Sequence, residues 1–315
     1  MSKTLLGNNT VNQIAFVVND IDAACEAFST LLGIPKPDWF LTGERDVSQV
    51  VYNGKPSDAQ SKLCFINTPS VQIELIEPNQ EPSTMRDFLG TIGEGIHHIA
   101  FDVNSIEPAI KTVEEHGFPV VQTGNFTSSN GCYAYADTQE TYKTLIELLE
   151  RETPYEPISL DEKNSLLGTT KLTQMAVVVR DLDKVAEAYC NLLGVEKPAI
   201  VHAGDPTVTQ VVHRGKQTDA RGRFMFIDTP LIQIELIEPG DSPSTWNEFL
   251  ETNGEGIHHI SFNVNDLEEK VALLEELGYP VIQKGNFFNG NGRYAYIDTT
   301  STFKVIIELL EKYDS

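Results

Sequence analysis

Eight side chains in this sequence have the types and the recurrence to do chemistry together: Gln13, Glu74, His98 and Glu147, then Gln174, Glu235, His259 and Glu308. An imidazole nitrogen, two carboxylates and an amide oxygen suit Zn, Ni, Co, Mn or Fe(II), and a set without thiolates is not a closed structural zinc site. Two carboxylates with neutral Gln and His also cancel a divalent charge. Such a shell leaves positions open for a small-molecule substrate that offers adjacent oxygens. A C–H beside those oxygens becomes acidic, because the negative charge that develops is held on the cation. Taken singly, a strand Glu or Gln is usually just solvated, and a lone His more often packs than ligates. It is the joint recurrence that points to a metal.

The recurrence comes from duplication. "NQIAFVVNDID" at 12 returns as "TQMAVVVRDLD" at 173, "VQIELIEP" at 71 as "IQIELIEP" at 232, and "TYKTLIELLE" at 141 as "TFKVIIELLE" at 302, always displaced by 161 residues. Copies this long and this evenly displaced are whole domains rather than short solenoid repeats. The reading is domain 1 over 1–152, a polar linker over 153–170 and domain 2 over 171–315.

Each copy repeats one order of elements. A β-branched strand "VNQIAFVV" precedes Asp20, which caps a helix stripe of Ile21, Ala24, Phe28, Leu31 and Leu32 that stops at Gly33. Strand-like runs follow near 47–52, 62–67 and 71–77. The order restarts at "IHHIAFDV", with a second helix after Ser105 and a last strand at "TLIELL". The chain thus predicts an α+β protein of four β-α-β-β-β units, paired into two curved mixed sheets. Alternation along each strand then sorts the faces. In "IHHIAFDV" it puts His97, Ile99, Phe101 and Val103 under the helix, and His98 on the concave side with the other ligands. His97 and His258 are therefore expected to pack on the helix side.

Other recurring polar residues could line a pocket: Asn125, Tyr133 and Tyr135, matched by Asn286, Tyr294 and Tyr296, with Gln49 and Gln210 on the middle strands. The copies diverge at "PDWFLTGERD" and "PAIVHAGDPT", where Trp39, Phe40 and Arg45 become Ile200, Val201 and Pro206. None of the four cysteines recurs in both copies, so they read as reduced packing residues. Against 23 Lys and Arg stand 46 Asp and Glu, a formal charge of -23 that repels nucleic acid and anionic membranes. No apolar run reaches the roughly 18 residues of a membrane span, and "MSKTLLGNNT" lacks the apolar core of a signal peptide, so a cytoplasmic location is expected.

The segments "NQIAFVV", "QIELIEP", "GEGIHHIAF" and "LIELLE" resemble the vicinal-oxygen-chelate superfamily, which includes glyoxalase I and methylmalonyl-CoA epimerase, over about 10–150 and 171–311. The resemblance implies glyoxalase-like domains with one ligand from each of four strands: Gln13, Glu74, His98 and Glu147, and their counterparts. It also implies that Glu147 and Glu308 can act as the base. The epimerases carry a further carboxylate on a middle strand, where this chain has Gln49 and Gln210. A metal-dependent isomerase, epimerase or lyase is the reading. The alternatives are an extradiol-type dioxygenase, which needs two histidines and one carboxylate, or an antibiotic-sequestering binding protein. Single-domain relatives pair as homodimers, so the fused chain could be a monomer or a homodimer.

Overall fold

The computed structural model describes residues 4–203 and 205–313. Local rules set the first elements of each half. Asp20 accepts a hydrogen bond from the Ala23 amide and caps the helix Ile21–Leu32, and Gly33 ends it at φ 68°, a left-handed conformation that glycine adopts at little cost. Asp181 and Gly194 do the same for Leu182–Leu193.

Each half forms one ten-stranded mixed sheet. In the first, the four strands at its middle are Gln72–Pro78, Gln13–Val17, Gly95–Asp102 and Leu145–Arg151, in that order. They run parallel, antiparallel and parallel across their three junctions. Each central strand carries one of the four expected ligands, so adjacency in the sheet converts four distant sequence positions into neighbours. The strands Leu172–Val178, Gln233–Pro239, Gly256–Asn263 and Ile306–Lys312 repeat the plan.

One register detail overturns an expectation. Along the antiparallel pair, Ala15 lies opposite His98 but Phe16 lies opposite Ile96, so His97 is an extra, unpaired residue. In the second half Ala176 faces His259, Val177 faces Ile257, and His258 is the extra one. A bulge resets the alternation of side chains. His97 and His258 therefore share the concave face with His98 and His259, instead of packing under the helices.

The helix-facing side chains of both sheets join one continuous apolar core. Phe28 sits at its centre, 5.3 Å between ring centroids from Phe16 of its own half and 5.3 Å from Phe303 of the other. The Tyr189 hydroxyl donates to the Tyr142 carbonyl across the same boundary. Two matched ion pairs, Lys143 with Glu255 and Lys304 with Glu94, each 3.0 Å, repeat the contact in both directions.

Two further differences from the sequence reading stand out, and the linker makes ordered contacts. Residues Arg45–Ser48 form a helical turn and only Val51–Tyr52 pair as a strand, because Gln49 takes a left-handed conformation at φ 45°. A helix at Thr84–Thr91, capped by Ser83, and its copy Thr245–Thr252, capped by Ser244, went unread. The segment 153–170 is docked rather than loose: the Ile158 amide donates to Thr68, Leu166 to Leu31, and Leu167 is buried. No helix among the described residues is long and apolar enough to cross a membrane.

Because the core runs through both halves, Phe28→Ala should destabilise the whole chain by about 3–5 kcal/mol. Denaturant unfolding followed by circular dichroism should show one transition moved to lower denaturant, not the loss of one half alone.

Candidate metal centre

In the first half, Glu74, His98 and Glu147 bring one ligand atom each to within 4.8 Å of one another, and Glu235, His259 and Glu308 do so in the second. Gln13 completes the first set and Gln174 the second. All eight side chains are buried, with Gln13, Glu74, His98 and Glu147 at most 5% exposed. His98 Nε2 lies 3.0 Å from Glu147 Oε2 and 3.4 Å from Glu74 Oε2, within ionic reach of both yet in hydrogen-bond geometry with neither.

The orientation of Gln13 tests whether these residues fit a cation. Its Nε2 donates to Gln72 Oε1 at 2.8 Å, and Gln72 in turn donates to Asn67. The other end of the Gln13 amide faces Glu74 Oε2 and Glu147 Oε2 at 3.3 and 3.1 Å, where an oxygen meets only acceptors while the amide nitrogen, turned inward, donates to both. Gln13 can thus donate to the two carboxylates in the absence of a cation, or turn its oxygen inward to meet one. Gln174 repeats this against Glu235 and Glu308, held by Gln233 and Asp228. Two carboxylates, one imidazole and an amide able to turn its oxygen inward are a donor set that suits a divalent cation. The residues fit the group.

The displaced histidine gains a role from the bulge. His97 Nδ1 lies 2.8 Å from His98 Nδ1, and His258 stands identically beside His259. Burial first, then the charge of His98, holds the His97 pKa well below its usual value. Neutral His97 can therefore accept from His98 Nδ1–H, which aims Nε2 at the carboxylates. Metal-ligating histidines are commonly oriented by such a partner.

Electrostatics give His98 a proton in the metal-free protein. Burial opposes charge on its ring, but the carboxylates of Glu147 and then Glu74 outweigh that and push its pKa up to about 9. His259 is likewise pushed up to about 9 by Glu308 and Glu235. Burial pushes the Glu74 carboxyl up; His98 draws it down, and the charge of Glu147 pushes it up again.

A cavity of about 490 Å³ opens above the first set and one of about 460 Å³ above the second. Asn125, Tyr133 and Tyr135 line the first; Asn286, Tyr294 and Tyr296 line the second. Burial pushes all four phenols upward, so they stay protonated donors at neutral pH. Gln49 and Gln210 are not brought to either cavity. Each is exposed at the end of a short helical turn, and the preceding Ser48 and Thr209 line the walls instead.

Trp39 also turns away: it packs on the helix-side core with Lys62 over its ring, leaving Phe40 to line the cavity. Sequence reasoning missed Gln122 and Gln283. Gln122 accepts from the Thr84 amide and donates to the Tyr133 hydroxyl, and Gln283 does the same with Thr245 and Tyr294. The glutamine shared by "VVQTGN" and "VIQKGN" was the available signal.

A model of the glyoxalase/bleomycin resistance protein/dioxygenase superfamily matches residues 12–135 and again 173–296. The chain belongs to that superfamily. Its curated relatives include the uncharacterized protein YqjC of Bacillus subtilis, 26% identical over 142 residues, which cover 45% of this chain and 91% of that protein. An ethylmalonyl-CoA/methylmalonyl-CoA epimerase of Cereibacter sphaeroides is 34% identical over 116 residues, 36% of this chain and 76% of the epimerase. Among solved structures, a mutant 4-hydroxymandelate synthase from Streptomyces coelicolor aligns over 98% of this chain and 94% of its own, with a TM-score of 0.58 and 13% identity. That likeness speaks to the fold alone. The chain holds two candidate ligand triads among its described residues, one per sheet.

Two outcomes follow. Metal uptake at neutral pH must displace the extra proton of His98 or His259, so about one proton per site should be released, and affinity should rise with pH until about 9. Calorimetry in buffers of different ionisation heat measures this directly. In addition, His98→Ala should abolish binding at the first site, whereas His97→Ala should weaken it about 10–100-fold while leaving the site able to bind.

Proposed function

We propose that the chain is a metal-dependent enzyme that moves a proton on a carbon beside a carbonyl, as an isomerase, epimerase or lyase. The observation that carries this is the buried convergence of Gln13, Glu74, His98 and Glu147, repeated by Gln174, Glu235, His259 and Glu308, on the floor of a substrate-sized cavity. A divalent metal held by these residues supplies a Lewis acid that stabilises negative charge developing on a chelated oxygen.

The chain's own residues do the rest. Glu147 Oε2 lies at the site with Glu74, His98 and Gln13 all near it, so it can accept a proton from the carbon beside the carbonyl and return it. Tyr133 and Tyr135 offer phenol donors along the wall, and Gln122 fixes the Tyr133 hydroxyl. Leu63, Phe65, Ile76 and Leu149 make that wall largely apolar, which keeps water from the reacting carbon.

The epimerase relative supports this reaction class, since epimerisation is proton removal and return at one carbon. The dioxygenase reading asks for a second ligating imidazole, and the histidine next to His98 among the described residues, His97, turns its Nδ1 to His98.

Changing both Glu147 and Glu308 to Gln keeps an oxygen that can touch metal but removes the proton acceptor. Metal content should fall modestly, while exchange of acidic C–H with deuterated solvent, across a panel of 2-oxo and 3-oxo acids and thioesters, should fall about 10²–10⁴-fold. Undiminished exchange in the double variant would remove both glutamates as the base.

A further inference from the structure

The two sites share their eight expected ligands, yet the residues just behind those ligands differ. In the second half, the buried Ser261 hydroxyl donates to Glu308 Oε2 at 2.6 Å and lies 3.1 Å from Gln174 Oε1. Glu308 Oε2 is the same oxygen that stands 3.1 Å from His259 Nε2, so the hydroxyl grips the ligating atom itself. The counterpart of Ser261, displaced by 161, is Ala100. Ala100 is buried at the same register, opposite Glu147 on one side and Gln13 on the other, and it has nothing to donate.

A second substitution points the same way. Trp246 Nε1 donates to the Tyr296 hydroxyl at 3.2 Å, fixing that phenol over the second site. Met85 takes the place of Trp246 in the first half and has no N–H to offer Tyr135. The second site is thus braced at its last-strand glutamate and at its overlying tyrosine. The first has neither of these two contacts, its Tyr135 phenol standing by Glu147 instead.

Building on the metal reading above, we infer that the two sites divide the work: Ser261 is a positioning residue that makes Glu308 a permanent ligand of a tightly held metal, while Glu147, lacking that tether, is the glutamate free to leave the metal and carry the proton. Charge-assisted hydrogen bonds are the strong ones, and partners behind a metal ligand commonly change affinity about 10–100-fold. A tether at the ligating oxygen also holds the carboxylate where it cannot swing to a substrate carbon. The second site then acts mainly to hold its half together, and proton transfer concentrates in the first.

Zinc affinity, read by competition with a chromophoric chelator, tests this one site at a time. In a His98→Ala background only the second site remains, and there Ser261→Ala should weaken Zn²⁺ about 10–100-fold, with circular dichroism unchanged. In a His259→Ala background, the reciprocal Ala100→Ser should tighten Zn²⁺ at the first site and lower its solvent-exchange rate together. The unmodified chain should show two Zn²⁺ affinities, the tighter one abolished by His259→Ala. Equal affinities in the two backgrounds, or a Ser261→Ala change that leaves Zn²⁺ binding untouched, would overturn the division of labour while leaving the metal reading standing. No Zn²⁺ bound in either background would overturn both.

Discussion

Two buried carboxylates aimed at each other set the constraint on which the rest of this molecule depends. Removing each such charge from water costs several kcal/mol, and their mutual repulsion adds to it. His98 between Glu74 and Glu147 relieves part of that by holding a proton, with its pKa pushed up to about 9. Gln13 relieves more of it where its amide nitrogen turns inward and donates to both carboxylates. A sheet that carries this electrostatic penalty twice, at matched places in both halves, needs a positive charge there, and the His98 and His259 rings carry it.

The architecture can be understood as the means of keeping those groups in place. Four central strands give one side chain each, and the long apolar faces behind them anchor every strand to a core that both halves share. The bulge at His97 shows how local irregularity serves this end. An unbroken strand would put adjacent histidines on opposite faces; one extra residue lets the first orient the second at a distance of 2.8 Å. The hydrogen-bond chain from Gln13 through Gln72 to Asn67 anchors the outer end of the Gln13 amide.

Much of this was legible in the residues. The constant displacement of 161 gave the duplication, the period of two placed Gln13, Glu74, His98 and Glu147 on one face, and the capped stripe after Asp20 located the first helix. What escaped lay where backbone geometry departs from a regular period. His97 was misplaced because a bulge is set by pairing with a strand some 80 residues away in sequence, and nothing in "GIHHIAF" announces it. Gln49 fell outside the cavity because a left-handed residue ends a short turn there. The helices Thr84–Thr91 and Thr245–Thr252, which carry Met85 and Trp246, are only eight residues long, too short for a repeating stripe.

The two sheets meet through matched contacts, Lys143 with Glu255 and Lys304 with Glu94, and through one core built by residues of both. Were those sheets separate identical subunits, every substitution would fall on both partners at once, and neither cavity could change without the other. Joined in one chain, they keep the near-twofold contact but lose that obligation. The covalent link 153–170 is therefore a release from symmetry: position 100 can hold alanine while position 261 holds serine, and each cavity answers to its own sequence.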